Sequence, residues 1–343
     1  MQTLTLRQPD DWHVHLRDGA ALARTVPDTA RQFARAIIMP NLNPPVVTVE
    51  DAVAYRARIM AAVPKGVSFQ PLMTLYLTPK TTPELIQQAV ESGVITAIKY
   101  YPKGATTHAE HGIEALESFA PLLEALQETG LPLLLHGESI RPNCDIFDRE
   151  ADFIETTLPY LLHRFPNLKW VLEHISSSKA VQFVQQAPST VAATITPHHL
   201  LLNRNDLLVG GLKPHHYCLP ILKTASDQQA LLEAATSGNP KFFAGTDSAP
   251  HSQGTKECAL GCAGIYNACC ALECYAESFE AADALDKLEN FVSRFGAEFY
   301  GLPLNHGTVT LHKTSHLMPT SLSFTTERLI PLRAGQTLPW KQV

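Results

Sequence analysis

Four histidines, one lysine and one aspartate occupy equivalent places in this 343-residue chain: each lies in, or at the end of, a short apolar run. His13 and His15 stand in Asp11–Leu16 (DWHVHL), Lys99 in Thr96–Tyr100 and His136 at the end of Pro132–His136. His174 ends Trp170–His174, and Asp247 ends Phe242–Asp247. On a strand, residues i and i+2 face one side. His13 and His15 therefore present two imidazoles together, with Trp12, Val14 and Leu16 opposite. Neutral imidazole nitrogen and carboxylate oxygen are good zinc donors. A single strand-end histidine is more often a hydrogen-bonded core residue. The whole set at the same end of different strands points to a metal centre.

Lys99 is the unusual member, because a buried ammonium is costly. Its plain role is a lysine whose head reaches the mouth of the fold. Its chemical role uses the neutral amine, which burial and nearby cations favour. That amine adds carbon dioxide to become a carbamate, an anionic bidentate ligand able to bridge two metals. Two divalent ions contribute +4, and carbamate, Asp247 and a bridging hydroxide contribute −3. The remainder suits an anionic substrate. Metals supply hydroxide near neutral pH. Asp247 is placed to accept its proton and deliver it to a leaving nitrogen.

Eight apolar runs carry these residues: 11–16, 36–40, 69–76, 96–100, 132–136, 170–174, 191–196 and 242–247. Amphipathic stretches separate them. Thr48 opens a helix through Val63, Thr82-Pro83-Glu84 opens one closed by Gly93, Gly130 ends another, and Ser226-Asp227 starts one ending near Gly238. Eight alternations predict an α/β fold, a (β/α)8 TIM barrel, whose catalytic groups stand at the C-terminal ends of the strands. From about Leu302 the pattern turns to Thr-rich β pieces, joined by Thr3–Arg7. The expected organisation is one barrel domain over 1–343, with 302–343 a minor β-rich appendage. A flat two-domain α/β protein is the alternative.

Lys+Arg 27 against Asp+Glu 33 leaves a net charge of −6, which argues against a nucleic-acid surface. No run is long and apolar enough to span a membrane, and no export segment is visible at the start. Seven cysteines, an odd number, make a poor disulfide framework and point to a cytoplasmic protein. Five of them, Cys258, Cys262, Cys269, Cys270 and Cys274, read as small buried side chains of a packed helical region.

On these residues the chain resembles the dihydroorotases of the amidohydrolase superfamily, the shorter class II bacterial type. The match includes Pro9–Gly19 (PDDWHVHLRDG), Met39–Leu42, Leu135–Glu138, Phe147–Glu150, Glu173-His174, Tyr217–Pro220 and Gly245–His251 (GTDSAPH). His-x-His marks only the superfamily; Arg17-Asp18-Gly19 with the Asn41 and His251 segments is far more specific. The resemblance implies two zinc ions per subunit. His13, His15 and Asp247 would hold one, His136 and His174 the other, with carboxylated Lys99 (N6-carboxylysine) and hydroxide bridging. It implies reversible cyclisation of N-carbamoyl-L-aspartate to dihydroorotate in pyrimidine synthesis, and a homodimer. Arg17, Asn41 and His251 would bind the substrate carboxylate, and Leu219 and Ala263 the ring amide through their backbones. Arg17, two residues beyond His15, is well placed to hold a carboxylate beside the metals.

The loop 101–112 follows the fourth run and starts at the mouth. Gly104 and Gly112 bracket it, it carries almost no apolar side chain, and the resemblance makes it a lid with Thr106 and Thr107 on the ligand. His108, His111, His198, His199, His215 and His216 fall outside the expected metal shell. Two other functions compete. A hydantoinase or dihydropyrimidinase shares the metal cluster but needs no carboxylate clamp. A non-catalytic scaffold would show a broken ligand set, and this one is intact.

Overall fold

The structure, a computed structural model, describes residues 2–343. Residues Thr3–Arg7 form β1. Eight parallel strands follow: β2 (Asp10–Val14), β3 (Arg35–Ile38), β4 (Gln70–Tyr76), β5 (Ile95–Tyr100), β6 (Leu133–Leu135), β7 (Trp170–Leu172), β8 (Val191–Ile195) and β9 (Phe242–Ala244). They neighbour one another in chain order. All eight are buried on both faces almost throughout, as a sheet covered by helices requires. The barrel closes beyond β9: Asp247 N donates to His13 O at 2.8 Å and His15 N to Ser248 O at 3.1 Å.

Pleating sorts the strand residues. Trp12, Ile37, Leu72, Ala97, Leu134, Val171, Ala192 and Phe243 fill the barrel interior. Two positions on from four of them come Lys99, His136, Glu173 and Thr194, which therefore line the next layer toward the mouth. The first strand departs from the expected alternation. Trp12 belongs to the interior, while Val14 and Leu16 pack in the outer core. The register shifts between Asp11 and Val14, and such an irregularity changes which face later residues present. Trp12 stacks on Tyr300 at 4.7 Å, and its ring leaves no room for a Cβ at Gly296, only 2.0 Å from its Nε1.

Helices cap as the sequence indicates. Val49–Ala62 starts at a Thr48–Asp51 capping box, and Pro83–Ser92 runs from Thr82 to Gly93 at φ 63°. The helix placed at Ser226-Asp227 begins earlier, as Ala225–Thr236. Thr224 is its cap and Asp227 closes a reciprocal box with it, a pair of bonds worth about 1 kcal/mol. The cysteine segment is corrected more deeply. Only Cys274 lies inside a helix, Ala271–Ala281; Cys258 is exposed and Cys262 half-buried. The backbone is not helical at Gly264, whose φ is +145°, and an added Cβ there would meet Ala249 O at 2.8 Å. All seven cysteines are unpaired.

The C-terminal strands are β10 (Thr308–Leu317), β11 (Leu322–Phe324), β12 (Glu327–Leu329) and β13 (Thr337–Gln342). A three-stranded sheet orders them β1-β10-β13, and β11 and β12 form a hairpin. Leu6, Val309, Leu311 and Trp340 share the core that wraps the barrel. Among the described residues no helix is long and apolar enough to cross a membrane.

Candidate metal centre and active site

His13 and His15 bring their Nε2 atoms to 3.3 Å from each other. Asp247 Oδ1 lies 3.4 Å from the first and 3.1 Å from the second. Across the mouth, His136 Nδ1 faces His174 Nε2 at 3.2 Å. Buried acceptors orient three of these rings. Glu173 Oε2 accepts from His13 Nδ1 at 2.8 Å, Asn41 Oδ1 from His15 Nδ1 at 2.9 Å, and Glu138 Oε2 from His136 Nε2 at 2.8 Å. A ring nitrogen that donates outward leaves the other nitrogen's lone pair aimed inward, as metal-ligating histidines require. Burial, reinforced by neighbouring cations, pushes His13, His15 and His174 well below the usual histidine range, so they are neutral. Burial raises Asp247 to about 7.

Lys99 follows Ala97 on β5 and lies in the same layer as His136 and Glu173. Its side chain is fully buried, and its Nζ has no hydrogen-bond partner. The ammonium end lies over the Tyr101 ring, 4.9 Å from its centroid. Burial brings the amine down to about 8. A buried amine with no acceptor in hydrogen-bond range is poorly satisfied as an ammonium. The donor set of imidazoles, carboxylate and a lysine that can become a carbamate fits a pair of divalent cations.

Three residues of the site hold left-handed backbone: Arg17 at φ 58°, His174 at 42° and Asp247 at 43°. Non-glycine residues there store strain of roughly 1–3 kcal/mol each and persist only when surroundings fix them. Those surroundings are visible. Asp11 accepts from His13 N, Thr246 N and Thr246 Oγ1 at 3.2, 2.8 and 2.6 Å, clamping both sides of the barrel seam. Thr194 Oγ1 accepts from His174 N and donates to Glu173, each at 2.7 Å. Tyr55 OH bonds the Arg17 carbonyl.

The cavity above the donors is lined by Arg17, Asn41, Leu219, Ala263, Thr106 and Thr107, among others. Arg17 donates to Pro250 O at 3.2 Å and to His251 Nε2 at 3.0 Å, while its buried Nη1 has no partner. His251 does not line the cavity; it backs the guanidinium. Burial and then Arg17 lower His251 to about 2, so it accepts as a neutral ring. Asn41 has both ends engaged, since its Nδ2 donates to Thr107 O at 3.0 Å.

The loop 101–112 is folded down. Thr107 Oγ1 donates to Ala263 O at 3.3 Å, and His108 meets Asn41 O through Nδ1 at 3.2 Å. Its anchoring differs from expectation. Ala105 and Ala109 are buried, the latter against Tyr76 and Tyr101. Tyr101, itself the first residue of the loop, is buried as well.

Reasoning from the sequence missed Glu138, Glu173, Asp11 and Thr194. Glu138 lies two residues beyond His136, past the end of β6, where Glu138 N donates to His136 O and the carboxylate reaches the His136 ring. Glu173 and Thr194 lie on different strands from the groups they support, so no local pattern marks them. His198 and His199 form, with Cys218, a separate buried group outside the cavity. His215 pairs with exposed Glu257.

Residues 11–322 match the amidohydrolase family. A dihydroorotase from Nitrosococcus oceani is 60% identical over 339 residues, spanning 99% of this chain and 98% of its own. The structure resembles a Saccharomyces cerevisiae dihydroorotase solved with 5-fluoroorotic acid, at a TM-score of 0.92 and 33% identity, over 100% of this chain and 99% of that one. An L-hydantoinase from Arthrobacter aurescens reaches a TM-score of 0.82 over 99% of this chain and 83% of its own. At 14% identity that likeness is one of fold alone. With whole-length identity on one side and a distant fold on the other, the chain belongs to the amidohydrolase family, among its dihydroorotases.

Proposed function

We propose that this hydrolase interconverts dihydroorotate plus water with N-carbamoyl-L-aspartate, a step of de novo pyrimidine (UMP) synthesis, at the mouth built by His13, His15, Lys99, His136, His174 and Asp247. The observation that carries the assignment of the centre is the buried, unpartnered Lys99 amine among inward-facing imidazoles. His13, His15 and Asp247 would hold one zinc ion, and His136 and His174 a second, with Lys99 bridging as its carbamate. Two such ions supply Lewis acidity and a lowered pKa for water.

The chain's own groups do the rest. Arg17 offers its free Nη1 to the substrate carboxylate, with His251 holding the guanidinium. Asn41 joins that clamp by exchanging the Thr107 carbonyl for the ligand. The backbones of Leu219 and Ala263 read the ring amide. In the hydrolytic direction a C–O bond forms at the ring amide carbon and the C–N bond breaks. Asp247 takes the proton of the attacking water on its carboxylate and returns it to the leaving nitrogen. Thr106 and Thr107 close over the ligand and exclude bulk water.

The proposal takes 1–343 as one domain, because the appended strands share the barrel's outer core. It includes a homodimer, which the family resemblance implies, and a cytoplasmic location, which the seven unpaired cysteines support.

Metal analysis combined with ring opening of dihydroorotate and dihydrouracil tests it. Dihydroorotate is expected to be the far better substrate. Arg17→Met should keep the metals and weaken dihydroorotate binding by roughly 1.5–3 kcal/mol, about ten- to 150-fold in KM. Equal opening of dihydrouracil by the wild type, or an Arg17→Met enzyme of unchanged KM, would overturn the carboxylate clamp.

A further inference from the structure

Lys256 ends the short helix Gln253–Lys256 and is 4% exposed. Its Nζ donates to three backbone carbonyls: Tyr217 O at 2.9 Å, Cys262 O at 3.0 Å and Gly264 O at 2.6 Å. Three N–H groups thus meet three acceptors, the full donor capacity of an ammonium. Burial brings the amine down to about 8, which leaves it largely protonated at neutral pH. A buried cation held by carbonyl dipoles, without a carboxylate partner, is a costly way to fill space. Its position explains what it organises.

We infer that Lys256 is a positioning residue for substrate recognition: its ammonium gathers two loops so that the backbones of Leu219 and Ala263 face the cavity. This rests on the assignment of those two backbones to the ring amide. The first loop is fixed at Tyr217, two residues before Leu219. The second is fixed on both sides of Ala263, at Cys262 and Gly264. While the carbonyls of Cys262 and Gly264 are drawn to Lys256, that of Ala263 between them is met instead by Thr107 Oγ1 at 3.3 Å. Ala263, Gly264 and Leu219 line the cavity, and Lys256 does not. The two loops are also stitched directly, because Gly264 N donates to the same Tyr217 carbonyl at 2.9 Å. Beyond the strap, Ala249 N donates to Ile265 O at 2.9 Å, which ties it to the segment leaving Asp247. The lysine therefore acts through the backbone, at a distance from the reacting atoms.

Lys256→Met removes the donors and keeps the apolar stem, so the carbonyls of Cys262 and Gly264 lose their partner and that of Tyr217 keeps only Gly264 N. The experiment measures KM and kcat for dihydroorotate, metal content, and hydrogen exchange over 217–220 and 261–264. The expected result is a KM raised by about tenfold or more with kcat within about threefold, the pattern of lost uniform binding. Metals should remain at the wild-type level, exchange should quicken in both segments, and Lys256→Arg should recover part of the KM. If the Met variant does not fold, Lys256→Gln takes its place. Unchanged exchange with unchanged KM overturns the inference. So does a raised KM that comes with metal loss. Quickened exchange at unchanged KM also overturns it, by showing that the strap is held but that Leu219 and Ala263 do not read the ring. Failure of the parent reading would look different: wild-type enzyme that does not open dihydroorotate.

Discussion

The donor cluster and the substrate-facing rim share one cavity but are held by different parts of the fold. The donors stand on strands or within a few residues of their ends, and buried carboxylates brace them: Glu173 behind His13, Glu138 behind His136, Asp11 across the seam. The rim is made of loops, each pinned by a few side-chain contacts to backbone: Arg17 to Pro250, Asn41 to Thr107, Thr107 to Ala263. Sheet register sets the first group before any ligand arrives. Contacts that a ligand can exchange set the second. Chemistry that needs fixed distances is therefore built into the barrel, and recognition that needs opening and closing is left to the loops.

The contrast breaks most severely at Lys99. Lys99→Ala should lose metal and activity together, by about three orders of magnitude or more, since the proposed carbamate would be the anion linking both ions. Metal analysis alongside turnover checks this, and a short carboxylic acid added back should restore part of both. An active, fully loaded Lys99→Ala enzyme would mean that the two ions need no bridge.

Glu173 tests whether bracing matters as much as ligation. Glu173→Ala removes the acceptor of His13 Nδ1 and of Thr194 Oγ1. Metal affinity should fall by about 10–100-fold, read by competition with a chelator, while KM for dihydroorotate stays near wild type in saturating metal. A KM change without a metal change would place Glu173 on the rim's side of the comparison.

The smallest effect belongs to the lid. Thr106→Ala combined with Thr107→Val should lower turnover by about three- to tenfold with both metals retained, the scale of one or two neutral hydrogen bonds. Protease nicking within 103–112 should slow when ligand is added. Turnover at the wild-type level, with nicking indifferent to ligand, would make the loop a plain connection.

Much of the barrel was legible because its strands are continuous apolar runs and its helices carry their caps in the sequence, as at Thr48, Thr82 and Gly93. His-x-His and the strand-end positions of His136, His174 and Asp247 likewise follow from periodicity alone. Where local pattern failed, a particular residue explains it. At Gly264 a φ of +145° takes the cysteine segment out of helical geometry, and Thr224 rather than Ser226 forms the capping box.

Sequence by itself thus determined the alternation of elements, the residue types at the strand ends and the family resemblance, because all three are properties of neighbours along the chain. Only the tertiary structure decided what meets across it. Closure of β2 onto the segment after β9 brings Asp247 within reach of His13 and His15. The shift in β2 sends Trp12 inward beside residues that simple alternation would oppose. Glu173 reaches His13 from a strand far along the chain, and Lys256 joins two loops through carbonyls that every residue possesses. Backbone carbonyls carry no letter in a sequence, and long-range pairs leave no period in it. Such contacts exist only once the barrel has closed.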